Sequence, residues 1–399
     1  MKSPTAVRVP GFRAAGVHCG VKETGLDLAL IASDVPASAV GVFTSSSVVG
    51  APVELCRSRI RDGRARAVVV NSGIANVAMG EPGRQDANEM AERAAKAIGA
   101  PPSQVLVAST GVIGERLPMP RIRRGIRAAA AALDANGLPQ AAEAIRTTDT
   151  FAKSAVVSAK IDGCPVTVAG IAKGSGMIEP NMATMLAFLL TDAAVSAPYL
   201  GRVLRDATEA GFNRLSVDGE MSTSDTTLLF ANGTAGHREL RSSRSPGAAG
   251  FAAAVQQVAI ALTRDLARDG EGATKLVTVR VEGAANRAEA EQAARRIANS
   301  VLVKTALFGG DANWGRILQT VGAARVRMKL DRTVVSLGGV TVFRAGASAG
   351  PAARRRAAQK LQAPEVEVRI DLGTGRAAAQ VWTCDLSYEY VKINAEYTS

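Results

Sequence analysis

Three observations predict an α/β protein. Over the first half of the chain, short β-rich runs at 39–43, 65–70 and 104–108 alternate with helical stretches at 86–98 and 119–133. The last third is rich in strands, at 334–343, 366–372 and 377–383, with one helix at 351–361 between them. The chain's 399 residues are too many for one small core, so two or three lobes are expected; 47% hydrophobic and 21% charged residues is ordinary for a globular enzyme.

Each element follows from its local pattern. The run 65–70 enters N-S-G-I-A-N at 71–76, an Asn/Gly loop at the end of a buried strand. The helix 86–98 is amphipathic, with Asp86 available as its cap and Gly99 as its stop. The strand 104–108 runs into Ser109-Thr110-Gly111, and the helix 119–133 has one basic and one alanine-rich face. Runs 155–161 and 165–171 form a hairpin turning at Asp162-Gly163, and its second strand delivers Lys173. A helix at 198–209 and a polar loop at 217–226 lead to a strand at 227–231, and a long helix at 252–268 ends at Asp269-Gly270. Val277, Val279 and Val281 alternate with Thr278, Arg280 and Glu282, a half-buried strand, and 288–298 is a helix. Asp311 and Arg316 read as a structural pair. No internal repeat stands out and no long linker separates the lobes.

The stretch around which this order is arranged is K-G-S-G-M-I-E-P-N-M-A-T-M-L, 173–186. A glycine-broken loop leads through Pro180 to Thr184 and an apolar run, 185–190, which places a hydroxyl at the mouth of a buried strand. Histidine is a poor choice to activate it, because the two in the chain, His18 and His237, sit in no motif. A hydroxyl on the first residue of a chain can instead use its own α-amine, whose unperturbed pKa is roughly 7.7–8.0. Thr184 is internal as encoded, so this requires cleavage of the Ala183–Thr184 bond by attack of Thr184 on the Ala183 carbonyl. The small Ala183 and the glycines upstream allow the strained turn this needs.

Composition narrows the alternatives. The four scattered cysteines have no C-x-x-C spacing, so zinc and redox roles are not expected. Neither a secretory signal nor an apolar run of about 18 residues is present, which predicts a cytoplasmic protein with no membrane partner. The net charge of +12 raises nucleic acid as a partner, but with 4% aromatic residues stacking platforms are scarce and none is expected. Anionic amino-acid substrates are an equally available use of that charge.

The segment 173–186 resembles the self-cleavage segment of the ornithine acetyltransferase (glutamate N-acetyltransferase) family of arginine biosynthesis. A-S-T-G-V-I-G at 108–114, T-T-D-T at 147–150, D-G-E-G-A-T-K at 269–275, L-V-K-T-A at 302–306, N-W-G-R at 313–316 and the terminal I-N-A-E-Y-T-S also resemble that family, in order along the whole chain. The resemblance implies a layered α-β-β-α sandwich with a smaller C-terminal α/β lobe at about 275–399, cut into segments 1–183 and 184–399. It implies acetyl transfer from N2-acetylornithine to L-glutamate through an acetyl-threonine on Thr184, with no cofactor and an α2β2 heterotetramer of the fragments. On its own Thr110-Gly111 reads as a turn after a strand in preference to an oxyanion hole; the resemblance implies the second. It likewise implies substrate contacts from Thr147, Lys173, Thr184, Glu271, Asn394 and Ser399. The chain departs from the family pattern at Glu220-Met221, Ile74 and Ala312, which bears on substrate preference more than on the chemistry. Three alternatives stay open: a related acyltransferase of a specialised pathway, a self-processing amidase or aminopeptidase, and a non-catalytic basic binding protein. Acetyl-CoA stays open as a further donor.

Overall fold

The structure, a computed structural model, describes residues 7–179 and 185–396. Its first lobe contains strands β1 (Phe12–Val17), β2 (Leu28–Phe43), β3 (Arg64–Ile74), β4 (Val105–Val112), β5 (Lys153–Ile161), β6 (Cys164–Lys173), β7 (Leu186–Thr191) and β8 (Thr226–Ala231). Its helices are α1 (Ala51–Arg59), α2 (Gly80–Ile98), α3 (Met119–Ala131), α4 (Leu138–Ala144), α5 (Ala197–Ala210) and α6 (Ala248–Arg268). The strands join in the order β4-β3-β2-β8-β7-β6-β5, with β1 beside β2.

Side-chain alternation turns this ribbon into layers. In β3 and β4, Val68, Val70, Leu106 and Ala108 join one core cluster, while Ala67, Val69, Val105 and Val107 join another with α2 and α3. In β7 and β8, Leu186, Phe188, Leu228 and Phe230 enter the first of those clusters, while Ala187, Leu189, Leu229 and Ala231 pack on α5 and α6. The period-two alternation of strands thus makes two leaves share one apolar core, each backed by helices. This is the α-β-β-α sandwich that the family resemblance implied. The leaves are continuous through β2, whose first half pairs with β1 and β3 and whose second half pairs with β8.

The second lobe is a six-stranded sheet in the order β12-β11-β10-β13-β9-β14. Its strands are β9 (Leu276–Ala284), β10 (Val334–Leu337), β11 (Val340–Arg344), β12 (Ala347–Ser348), β13 (Glu365–Asp371) and β14 (Ala377–Cys384). Its helices are α7 (Arg287–Ala298), α8 (Val301–Phe308), α9 (Trp314–Ala323), α10 (Pro351–Lys360) and α11 (Tyr388–Glu396). A separate apolar cluster from Val277 to Val381 fills it. α6 touches both lobes, packing on β5 and β6 of the first sheet and on β9 and β14 of the second.

Two local expectations change. Asp86 lies inside α2 rather than capping it, because the helix already starts at Gly80. Asp311 pairs with Arg354 at 2.8 Å rather than with Arg316, whose Nη1 donates to the Leu302 carbonyl at 2.7 Å. Among the described residues no helix is long and apolar enough to cross a membrane.

Candidate active site

The site forms where the core between the two leaves runs out. Thr110 continues the face of Leu106 and Ala108 at the end of β4, and Lys173 continues the face of Ala169 and Ile171 at the end of β6. They meet across the gap: Lys173 Nζ donates to Thr110 Oγ1 at 3.2 Å. An ammonium has donors only, so the threonine oxygen accepts here and its own hydrogen remains free for another partner. Beside it, Gly111 has φ +127°, and a Cβ there would lie 2.2 Å from the Gly73 carbonyl carbon on β3. Only glycine fits, and it opens the backbone edge next to the Thr110 hydroxyl.

Asp149 anchors the floor. Its Oδ2 accepts from the Thr147 N–H at 3.0 Å, and its Oδ1 accepts from the Gly174 N–H and from Lys153 Nζ, each at 2.7 Å. Lys153 Nζ also donates to Asp269 Oδ2 at 2.5 Å, and Asp269 accepts from the Thr150 N–H at 3.0 Å. One buried lysine thereby ties the T-T-D-T segment, the loop after β6 and the end of α6 together. Burial pushes the Asp149 carboxyl up, but Lys153, Lys173 and the two hydrogen bonds on Oδ1 outweigh it and hold the group below the usual carboxylate range. Burial pushes Lys173 down; Asp149, Asp225 and Glu271 oppose that shift and Lys153 adds to it.

The far wall is Glu271, just past α6. Its N–H donates to the Ser175 carbonyl at 2.8 Å, and Asn394 Nδ2 of α11 donates to its Oε2 at 2.8 Å. A Cβ on Gly176 would lie 2.4 Å from the Glu271 carboxylate, so any larger residue at this position would push that acid from its present place.

Thr110, Gly111, Thr147, Lys173, Glu271 and Asn394 all line this one pocket, together with Met185, the residue that follows Thr184 in the chain. Ala183, Thr184 and Ser399 lie outside the described residues. The three departures are not among the pocket's lining residues: Ile74 and Ala312 are buried in core clusters and Met221 is exposed. Sequence reasoning missed Asp149, although it sits inside the quoted T-T-D-T, and Asp225, which closes the polar loop before β8 and also lines the pocket. His237 serves structure instead, its Nε2 accepting from the Ala194 N–H at 3.1 Å. Among the described residues no cluster of three or more His, Cys, Asp or Glu could hold a metal.

Known proteins resemble the chain along nearly all its length. The ArgJ family model matches residues 13–399. Arginine biosynthesis bifunctional protein ArgJ of Geobacter sulfurreducens is 49% identical over 392 residues, covering 98% of this chain and 100% of that protein. The protein of the same name from Symbiobacterium thermophilum is 50% identical over 395 residues, covering 97% and 96%. Among solved structures, the arginine biosynthesis bifunctional protein from Bacillus halodurans matches with a TM-score of 0.51 and 39% identity, over 54% of this chain and 100% of that one.

Proposed function

The chain belongs to the ArgJ family, and from that premise we propose that it is a glutamate N-acetyltransferase of arginine biosynthesis, moving acetyl from N2-acetylornithine to L-glutamate through an acetyl-threonine. The observation that carries this reading is the convergence of five separate segments, around residues 110, 147, 173, 271 and 394, on one pocket beside Met185.

Thr184 is the nucleophile, freed by cleavage after Ala183, and its α-amine takes the hydroxyl proton. The Thr110 hydroxyl, with its oxygen held by Lys173, and the Gly111 N–H receive the negative oxygen of the tetrahedral intermediate. One such donor contributes roughly 3–4 kcal/mol. Lys173 also offers a cation to the amino acid's α-carboxylate. Glu271 suits the ornithine ammonium, and the Asn394 amide beside it is the neutral group available to the glutamate side chain. Because donor and acceptor are both α-amino acids, one pocket serves them in turn, which is the logic of a ping-pong route. Two copies of each fragment, a cytoplasmic setting, and acetyl-CoA as the second donor behind the relatives' "bifunctional" name belong to the same reading.

Intact-mass analysis of the purified protein tests the proposal. Fragments 1–183 and 184–399 are expected, and incubation with acetylornithine adds one acetyl group to the second. An active but unbroken polypeptide, or a downstream piece starting at another residue, overturns it.

A further inference from the structure

Asp225 is a buried acid in the pocket that the chemistry above leaves unused. It is 1% exposed and lines the cavity that holds Thr110 and Lys173. Its Oδ2 has no hydrogen-bond partner among the described residues. A carboxyl stripped of water and left with an idle oxygen beside a reaction centre is a candidate working group. Its place in the sheet puts it close to the chemistry. Thr226, the next residue, donates its N–H to the Met185 carbonyl at 2.9 Å, and the β7–β8 ladder continues from Leu186 opposite Thr226.

The groups around Asp225 are few. From β6 it faces Lys173, around which stand Asp149, Lys153 and Glu271. From its own loop it faces the Ser222 hydroxyl. From the segment after β2, Thr44 gives its N–H to the Asp225 backbone carbonyl at 3.1 Å, while Arg57 of α1 donates to the Thr44 carbonyl. Burial raises Asp225 well above the ordinary carboxyl range, against the pull of Ser222 and Lys173. Asp149, ringed by two lysines, is ionised where Asp225 still keeps its proton.

We propose that Asp225 is an acid–base residue of the acetyl transfer, giving a proton to the amine nitrogen that departs and recovering it from the amine that arrives. This rests on the acetyl-transfer reading above. In the first half-reaction Thr184 Oγ1 bonds to the acetyl carbon and its proton passes to the α-amine. The amide C–N bond breaks and the Asp225 proton goes to the leaving nitrogen. The products are acetyl-threonine, an α-ammonium, the Asp225 carboxylate and ornithine with a neutral α-amine. The second half runs these steps backwards with the neutral amine of glutamate: the new C–N bond forms, the nitrogen's proton returns to Asp225, and the α-ammonium proton returns to Thr184 Oγ1. The two groups divide the work because their surroundings separate their proton affinities, and the nearby Lys173 cation steadies the carboxylate while it exists.

Asp225→Asn keeps the shape and removes the proton. With acetylornithine as donor, turnover is expected to fall roughly 10²- to 10⁴-fold. With p-nitrophenyl acetate, whose leaving group departs without a proton, acylation of Thr184 should slow far less. Equal slowing with both donors reduces Asp225 to a positioning role and overturns the proposal. If intact mass shows the variant uncut, the wild-type pH profile decides: transfer from acetylornithine should lose rate on the alkaline side through a group that ester acylation ignores, and identical alkaline limbs overturn the proposal. Wild-type transfer of labelled acetyl from acetylornithine to glutamate is the control. Its absence removes the functional reading and this inference with it, whereas its presence with equal slowing removes only the inference.

Discussion

Lys153 in the first lobe and Arg369 in the second both pair with carboxylates, but in opposite surroundings. Lys153 has no exposed side chain and sits between Asp149 and Asp269, themselves buried. Arg369 lies half in water on β13, with Nη2 2.5 Å from Glu282 of β9. The same division runs through the two lobes. The first gathers Asp149, Lys153, Lys173, Asp225 and Asp269 within or just behind one pocket. The second keeps most of its ion pairs on the surface, and the two lysines it buries, Lys275 and Lys304, cap backbone carbonyls at Leu307 and Cys384. Burying charge is costly wherever it happens. In the first lobe it gathers at the pocket, where Asp149, Lys173 and Asp225 have displaced proton affinities, although Asp27, Asp86 and Asp192 are buried away from it, and the second lobe serves mainly as scaffold.

Four experiments break or sharpen this contrast. Lys153→Met leaves two carboxylates buried without their cation and should cost about 3–5 kcal/mol of stability; a melting curve matching wild type would mean the cluster is not a structural staple. Thr110→Ala should lower turnover roughly 10²- to 10³-fold if its hydroxyl is an oxyanion donor, and normal turnover would remove it from that role. Asp225→Asn should unite lost activity with gained stability. The folded state holds Asp225 above its unfolded pKa, so the native contribution of the protonated group is complete below that unfolded value and is lost as pH rises through the folded one. Asparagine has no such loss, so the variant's melting temperature should exceed wild type at pH 8 and the margin should shrink on acidification; a margin that grows on acidification contradicts the buried-acid assignment. Glu282→Gln, on the exposed pair, should change stability by less than about 1 kcal/mol, and a loss as large as that of Lys153→Met would erase the distinction between the lobes.

The features legible in the sequence were those with a local signature. The hairpin at Asp162-Gly163 pairs Ile161 with Cys164 as its turn residues demand, and its second strand ends on Lys173. The early part of α2 lay outside the helix expected at 86–98 because Gly80, Pro82 and Gly83 are weak helix formers, although proline is well tolerated in a first turn where its missing N–H has no partner to lose. Only the end of β2 was visible, because Pro36 interrupts the pattern; pairing with β3 skips from Ala32 to Ala37 there, the kind of irregularity where a strand proline is accommodated. In the site, Thr110, Gly111, Thr147 and Lys173 stood out through motifs. The Lys153–Asp269 pair joins residues 116 apart in sequence, and no local pattern announces such a partnership. Asp225 escaped for the opposite reason, since an aspartate in a Ser/Thr-rich loop looks solvated until the fold closes over it.

The strand order carries one more consequence. β7 and β8, which follow residue 184, are inserted between β2 and β6, which precede it, and every neighbour contributes ladder hydrogen bonds. A nick in the backbone ahead of residue 184 would therefore leave two interleaved pieces that cannot drift apart without stripping both flanks of the sheet. Maturation of this kind would be invisible to size-exclusion chromatography and would declare itself only in denaturant, and the two pieces made separately would face a far harder assembly problem than the single precursor folding once and being cut afterwards.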